Sequence, residues 1–354
     1  MTKGLFAPGL TDRPTGMSSL AEPRVTYVVT FLCFAIGIGH VLISGEAKSH
    51  IYSPVTSKNG EKGQNCNIDV IYPRPLGTCA TNPKIIVYNR IGKAGSSTML
   101  SLIKPLAKKN NFTLINFGEF FNHSVALKHI SDAMARKTLT LICSHQRFPS
   151  VLYGEEIAYI NLLRKPEDQV TSSYYYSRYG HRPEDKKDQA LRKLGDQDIN
   201  ECVHFEEPMR RKCLGGISKV QSLYFCGNGD LGCDKIEDAE LIGSRAIAVM
   251  QQLYVVGVLE HLSDFLETLQ FKFPNFFRGI TELYDGQQVR VSGTLAQYAS
   301  PNVTTLDYLI KETAVDQLLY QKADAQRRHQ NLQIEFCKNN AESTVKDPHY
   351  SRRR

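Results

Sequence analysis

The stretch KIIVYNRIGKAGSSTMLSLI, Lys84–Ile103, decides how this chain is read. Ile85, Ile86, Val87 and Tyr88 form the unbroken apolar run of a buried strand, and Met99, Leu100, Leu102, Ile103 and Leu106 recur at helical spacing. The loop between them runs from Arg90 to Ser96. Such a loop turns backbone N–H groups and the positive end of a helix dipole toward an anion. Gly92 and Gly95 allow close approach, Lys93 brings a point charge, and Ser96, Ser97 and Thr98 add hydroxyl donors. A Walker loop is excluded, since that pattern wants glycine where Val87 stands and a hydroxyl residue where Ala94 stands.

Working outward, strands are expected over Phe112–Asn116, Thr138–Ser144, Ala158–Leu163 and Leu253–Leu259, with helical stretches between them. That alternation predicts an α/β fold, a mainly parallel sheet flanked by helices. Pro166 suits the start of a helix running toward Tyr179. Residues 180–234 are polar, charged and cysteine-containing and are read as an insertion rimming the site. Leu306, Leu309, Ile310, Leu318 and Leu319 predict one long amphipathic helix.

The N-terminal region has a different character. Val25–Ile43 is a run of 19 residues without a charge, long enough to cross a hydrocarbon core of about 30 Å. It reads as a single-pass anchor, because 24 residues precede it and Lys3, Arg13 and Arg24 favour a cytosolic N-terminus. The expected order is a cytosolic tail (1–24), the anchor (25–43), a luminal stem (44–83), a catalytic unit (84–338) and a flexible tail (339–354). Asn111, Asn122 and Asn302 open glycosylation acceptors, which agrees with a luminal body. So do the cysteines: of nine, only Cys33 falls in the anchor. Cys202 with Cys213 and Cys226 with Cys233 lie close enough for local disulfides, and Cys66 with Cys79 could tie the stem. The partners of Cys143 and Cys337 stay open. With 43 Lys and Arg against 36 Asp and Glu, the net charge of +7 favours polyanionic partners without naming one.

The segment VYNRIGKAGS, Val87–Ser96, resembles the phosphosulfate loop of the glycosaminoglycan 2-O-sulfotransferases, the group of the heparan sulfate and uronyl enzymes and the insect pipe proteins. The likeness recurs in order at LLRKPEDQVTSSYYYSRYG (Leu162–Gly180), DINEC (Asp198–Cys202), YFCG (Tyr224–Gly227), VVGVLEHLSDF (Val255–Phe265) and FFRGITELY (Phe276–Tyr284). It covers about Lys84 to Cys337 and leans toward the uronyl and pipe branch. The resemblance implies a P-loop-like sulfotransferase fold in a Golgi type II membrane protein. The implied reaction moves sulfate from 3′-phosphoadenosine-5′-phosphosulfate to a uronic acid 2-hydroxyl, without a metal.

The resemblance also implies roles. Lys93 would contact the 5′-phosphosulfate with Gly95, Ser96 and Ser97 closing around it, while Arg164 and Ser172 would hold the 3′-phosphate, with Arg290 in a second loop. His145 would be the catalytic base, which suits an imidazole near neutrality. Arg90, Tyr176 and Arg178 would lie near the uronate, an Arg pairing with carboxylate and a Tyr stacking on a sugar face. The expected partners are a glycosaminoglycan acceptor, the Golgi membrane and, by the same resemblance, copies of the chain in a trimer, with no nucleic acid. Two rivals remain: a catalytically silent relative that holds sulfated polysaccharide, and a nucleotide-dependent kinase using the same loop.

Overall fold

The computed structural model describes residues 79–117, 123–136, 138–148, 156–179, 198–215, 220–227, 233, 236–286 and 299–345. Five strands, β1 (Ile85–Asn89), β2 (Thr113–Asn116), β3 (Thr140–Ser144), β4 (Ile157–Leu163) and β5 (Tyr254–Val258), form one sheet in the order β2-β3-β1-β4-β5. Every neighbouring pair is parallel. β1 and β3 are buried at every position and β4 at all but one, which is why their sequences read as continuous apolar runs rather than alternations.

Alternate residues of β1 feed opposite cores, as a side-chain period of two requires. Ile85 and Val87 pack with α2 (His123–Ala135), α6 (Val220–Cys226), α7 (Ala239–Leu253) and α12 (Ala314–Val345), through residues such as Ile130, Phe225, Ile242 and Leu319. Ile86 and Tyr88 pack on the other face with α1 (Ser96–Lys109), α8 (Leu262–Lys272), α9 (Pro274–Phe277) and α10 (Ile280–Gly286), through Met99, Leu102, Phe265, Phe276 and Ile280. A third cluster gathers Val170 and Tyr174 of α3 (Pro166–Tyr179), Ile199 and Cys202 of α4 (Ile199–Val203), Cys213 and Leu214 of α5 (Met209–Leu214), and Leu309 of α11 (Val303–Glu312).

Several expectations change here. The segment read as a rimming insertion contributes core: Phe225, Cys226 and Cys233 are in the main cluster, and Ile199, Cys202 and Cys213 are wholly buried. Short helices stapled by disulfides bury apolar residues that show no long period. The single amphipathic helix is two, broken at Thr313, whose hydroxyl and N–H both return to the Leu309 carbonyl. The second of them continues to Val345, past Lys338. Disulfides Cys202–Cys213 and Cys226–Cys233 form as the spacing suggests. Cys79 pairs not with Cys66 but with Cys337, 258 residues away, because the chain before β1 lies along α8, where Thr81 donates to the Lys272 carbonyl and Lys272 donates to Gln333 of α12. Cys143 is free and buried.

The tail, anchor and most of the stem lie outside the described residues, as do Cys66, Asn122 and Arg290. Among the described residues no helix is long and apolar enough to cross a membrane. Asn111 and Asn302 are both exposed, and the Asn302 side chain caps α11 by accepting from the Thr305 N–H at 2.9 Å.

Candidate active site

β1 sits between β3 and β4, so the loops leaving its neighbours diverge at their carboxyl ends, where open parallel sheets hold ligands. Three loops meet at that edge: residues 90–95 after β1, 145–148 after β3, and 164–165 after β4. Asn89 and Asn161 lock the junction. The Asn161 amide donates to both the carbonyl and the side-chain oxygen of Asn89, at 2.8 and 2.9 Å, and Asn89 in turn donates to the Tyr224 carbonyl at the end of α6. That carbonyl also accepts from the Phe148 N–H, which ties the loop after β3 to the same point.

The loop after β1 holds two left-handed residues, Lys93 at φ 63° and Gly95 at φ 76°. The first costs about 1–2 kcal/mol for a residue with a Cβ, and such strain gathers at functional turns. Gly95 is doubly constrained, since a methyl there would come within 2.6 Å of the Leu259 side chain. The loop carbonyls are taken from behind: Gln169 Nε2 donates to Gly92 at 3.1 Å and Arg164 Nη1 to Lys93 at 3.2 Å. With its carbonyls so engaged, the loop can offer its N–H groups to an anion. Gly95 is also the N-cap of α1, which has no side-chain cap and no acidic residue in its first turn, so the positive end of its dipole is not neutralised locally. Ser96 is buried at the start of that helix and Ser97 is exposed beside it.

Lys93 is half-buried and its Nζ lies 3.9 Å from the centre of the Tyr176 ring, a cation–π contact. Tyr176, expected near an acceptor sugar, therefore touches the loop lysine. Tyr174 and Tyr175 are core residues, as helical geometry requires when three tyrosines run in sequence. Arg178 was expected with Tyr176 but is 2% exposed, donates to the Cys213 carbonyl at 2.8 Å and stacks on Tyr174. It braces the Cys202–Cys213 loop, and its burial lowers the guanidinium's affinity for its proton.

His145 follows directly on β3. Ser144 pairs with Asn89 across the sheet, and the Arg90 N–H donates to the Ser144 carbonyl at 2.7 Å, so His145 and Arg90 are brought side by side by register alone. The His145 Nδ1 lies 2.9 Å from the Arg90 carbonyl. A carbonyl only accepts, so the contact assigns the proton to Nδ1 and leaves the lone pair of the neutral ring on Nε2. Arg90 is buried, donates to Asn116 at 3.3 Å, and keeps a buried Nε with no hydrogen-bond partner among the described residues.

Arg164 leaves the end of β4 and reaches the loop. Desolvation lowers its pKa, against the opposing pull of Asp168 and Glu260. Ser172, two helical turns on in α3, is buried on the same helix that supplies Gln169 and Tyr176. Asn89, Asn161 and Gln169 were not singled out in the sequence, although an Asn inside each of the apolar runs IIVYN and IAYINLL was a legible sign that those strand ends carry polar work. Among the described residues no group of three or more His, Cys, Asp and Glu side chains is placed to hold a metal ion.

No protein-family model matches the chain. Individual relatives do. The chain is similar to human uronyl 2-sulfotransferase, 28% identical over 253 residues that cover 68% of this chain and 59% of that protein. It is 24% identical over 270 residues to heparan sulfate 2-O-sulfotransferase 1 of Pongo abelii, covering 69% and 73%, and 25% identical over 287 residues to the heparin sulfate O-sulfotransferase of Drosophila melanogaster, covering 75% and 77%. The alignment spans about three fifths of the length of the uronyl enzymes it matches. The parallel sheet flanked by helices is compatible with a sulfotransferase fold, and these alignments make the chain similar to the uronyl and heparan sulfate 2-O-sulfotransferases and support that family.

Proposed function

We propose that the chain transfers a sulfuryl group from 3′-phosphoadenosine-5′-phosphosulfate to the 2-hydroxyl of a uronic acid in a glycosaminoglycan, acting in the Golgi lumen from a single-pass anchor. The observation that carries this reading is the convergence of the Lys93 loop, His145 and Arg164 on one sheet edge, with Arg164 bonded to the loop itself. His145 Nε2 accepts the proton of the acceptor hydroxyl as its oxygen attacks sulfur. The bond from sulfur to the bridging oxygen breaks in line, and Lys93 neutralises the charge growing on that oxygen. Gly95, Ser96 and Ser97 close around the phosphosulfate with N–H and hydroxyl donors. Arg164 and Ser172 hold the 3′-phosphate, with Arg290 as a candidate second contact.

The Arg90 backbone carbonyl beside His145 puts this residue next to the proposed base, where the resemblance places a contact to the acceptor uronate. The contact of Lys93 Nζ with the Tyr176 ring puts Tyr176 next to the proposed phosphosulfate contact, while the resemblance places it near the acceptor sugar. The relatives' names favour heparan sulfate or another uronate-bearing chain as acceptor, and the full protein is proposed to assemble with copies of itself.

The test supplies labelled sulfate donor to the purified full-length chain with heparan, dermatan or chondroitin sulfate and analyses product disaccharides. Sulfate at the uronate 2-position is expected. His145→Ala is expected to lose roughly 10²–10⁴-fold in turnover while retaining donor affinity. Transfer from ATP and none from the sulfate donor would replace the reading with a kinase. Binding of polysaccharide without turnover would replace it with a silent relative.

A further inference from the structure

The two backbone groups of Arg164 lie just past β4, beyond the last sheet pair at Leu163. Gln221, wholly buried in α6, serves both: its Oε1 accepts from the Arg164 N–H at 3.1 Å and its Nε2 donates to the Arg164 carbonyl at 2.8 Å. The side-chain amide thus stands in for a missing strand. Gln221 is itself held at the N-terminus of α6, where its N–H donates to Asp316 Oδ2 at 3.0 Å and the Ser222 N–H to Oδ1 at 2.8 Å. Asp316 comes from α12, is 1% exposed, and also accepts from the Ser222 hydroxyl. On the next residue the Lys165 N–H donates to Glu260 Oε1 at 3.0 Å, and Tyr320 of α12 donates to Glu260 Oε2 at 3.0 Å. The main chain beneath Arg164 is therefore fixed from two sides by residues far away in sequence, and only its guanidinium projects to the loop.

A buried amide and carboxylate are costly unless their hydrogen bonds do something an apolar residue could not. We infer that Gln221, clamped by Asp316, is a positioning residue that sets where the Arg164 guanidinium meets the 3′-phosphate of the donor. The inference rests on the proposed reading of Arg164 as the 3′-phosphate contact. A displacement of the Arg164 backbone by a fraction of an ångström misaligns a guanidinium fork that needs two parallel bonds. The loop at the 5′ end loses one brace, the Arg164 bond to the Lys93 carbonyl, but keeps the Gln169 bond to Gly92 and the N-terminus of α1, so it is disturbed less.

The prediction is selective. Binding of adenosine 3′,5′-bisphosphate and of adenosine 5′-monophosphate to the detergent-purified full-length chain is measured by calorimetry, and the ratio of the two affinities reports the 3′-phosphate alone. Gln221→Met, which keeps length and removes both hydrogen bonds, is expected to lower that ratio about tenfold, with a much smaller change in the monophosphate affinity. Asp316→Asn, which turns an NH2 toward the Gln221 N–H, is expected to lower it about threefold and serves if the first variant does not fold. Folded variants with lower thermal stability but the parental ratio would overturn the inference and leave the proposed function standing. A parent chain that binds neither nucleotide, or both equally, would overturn the reading on which it rests.

Discussion

The two proposed grips on the donor nucleotide are built in opposite ways. The loop around Lys93 is a local device: residues 90–96 are contiguous, two of them adopt left-handed backbone, and the strand before and helix after belong to the same stretch. The grip around Arg164 is assembled from afar, with its backbone held by Gln221 and Glu260 and the former clamped by Asp316. The difference teaches where each can fail. The first depends on conformational freedom and charge at single positions, the second on the packing of α6 and α12 against the sheet.

This contrast can be broken most decisively at Lys93. In Lys93→Ala, turnover is expected to fall roughly 10²–10³-fold with a smaller change in donor affinity, since its charge matters most when the leaving oxygen gains charge. Steady-state kinetics with labelled donor read both. In Arg164→Ala the loss is expected in donor affinity instead, roughly 10–100-fold, with turnover at saturation much less affected. If both variants lost the same parameter, the division into a reacting end and a holding end would be wrong.

A smaller effect sharpens the local half. Gly95→Ala forces a Cβ into left-handed backbone and against Leu259, so a stability loss of about 1–2 kcal/mol is expected from the backbone alone. Denaturant unfolding measures it, and the same change at Gly92, which has open space around its Cβ, is expected to cost less. The smallest effect concerns Cys143, beside Arg90 at the end of β3. Burial pushes its thiol up to about 11, with Arg90 opposing. A group raised in this way adds stability that is complete below its unfolded value of about 8.5 and is lost as pH rises through about 11. Native alkylation of Cys143, mapped by peptide mass, is expected to be negligible at pH 8 and to grow only as that higher range is approached.

The residues of the proposed site were legible in the sequence where they lie next to strand ends. The runs IIVYN and IAYINLL announce buried strands, and the loop rich in glycine and hydroxyl residues with one lysine is the basis for the proposed anion site. The local disulfides Cys202–Cys213 and Cys226–Cys233 were legible for a related reason, since short loops close at small entropic cost. Cys79–Cys337 was not, because nothing local marks a partner 258 residues distant. Arg178 and Tyr176 show the limit of helix reasoning. Two residues apart, they face different surroundings: one is buried in a disulfide-braced core and the other lies under Lys93.

By itself the sequence determined the alternation of strand and helix, the strand-to-helix loop that carries Lys93 and the presence of a histidine after a sheet strand, because each depends on residues within a few positions of one another. Only the tertiary structure decided that β1 lies between β3 and β4, that the Arg90 carbonyl orients His145, and that Gln221 and Asp316 stand behind Arg164. Those contacts join segments 55 to 95 residues apart, and the burial of the whole sheet, rather than any local preference, brings them together.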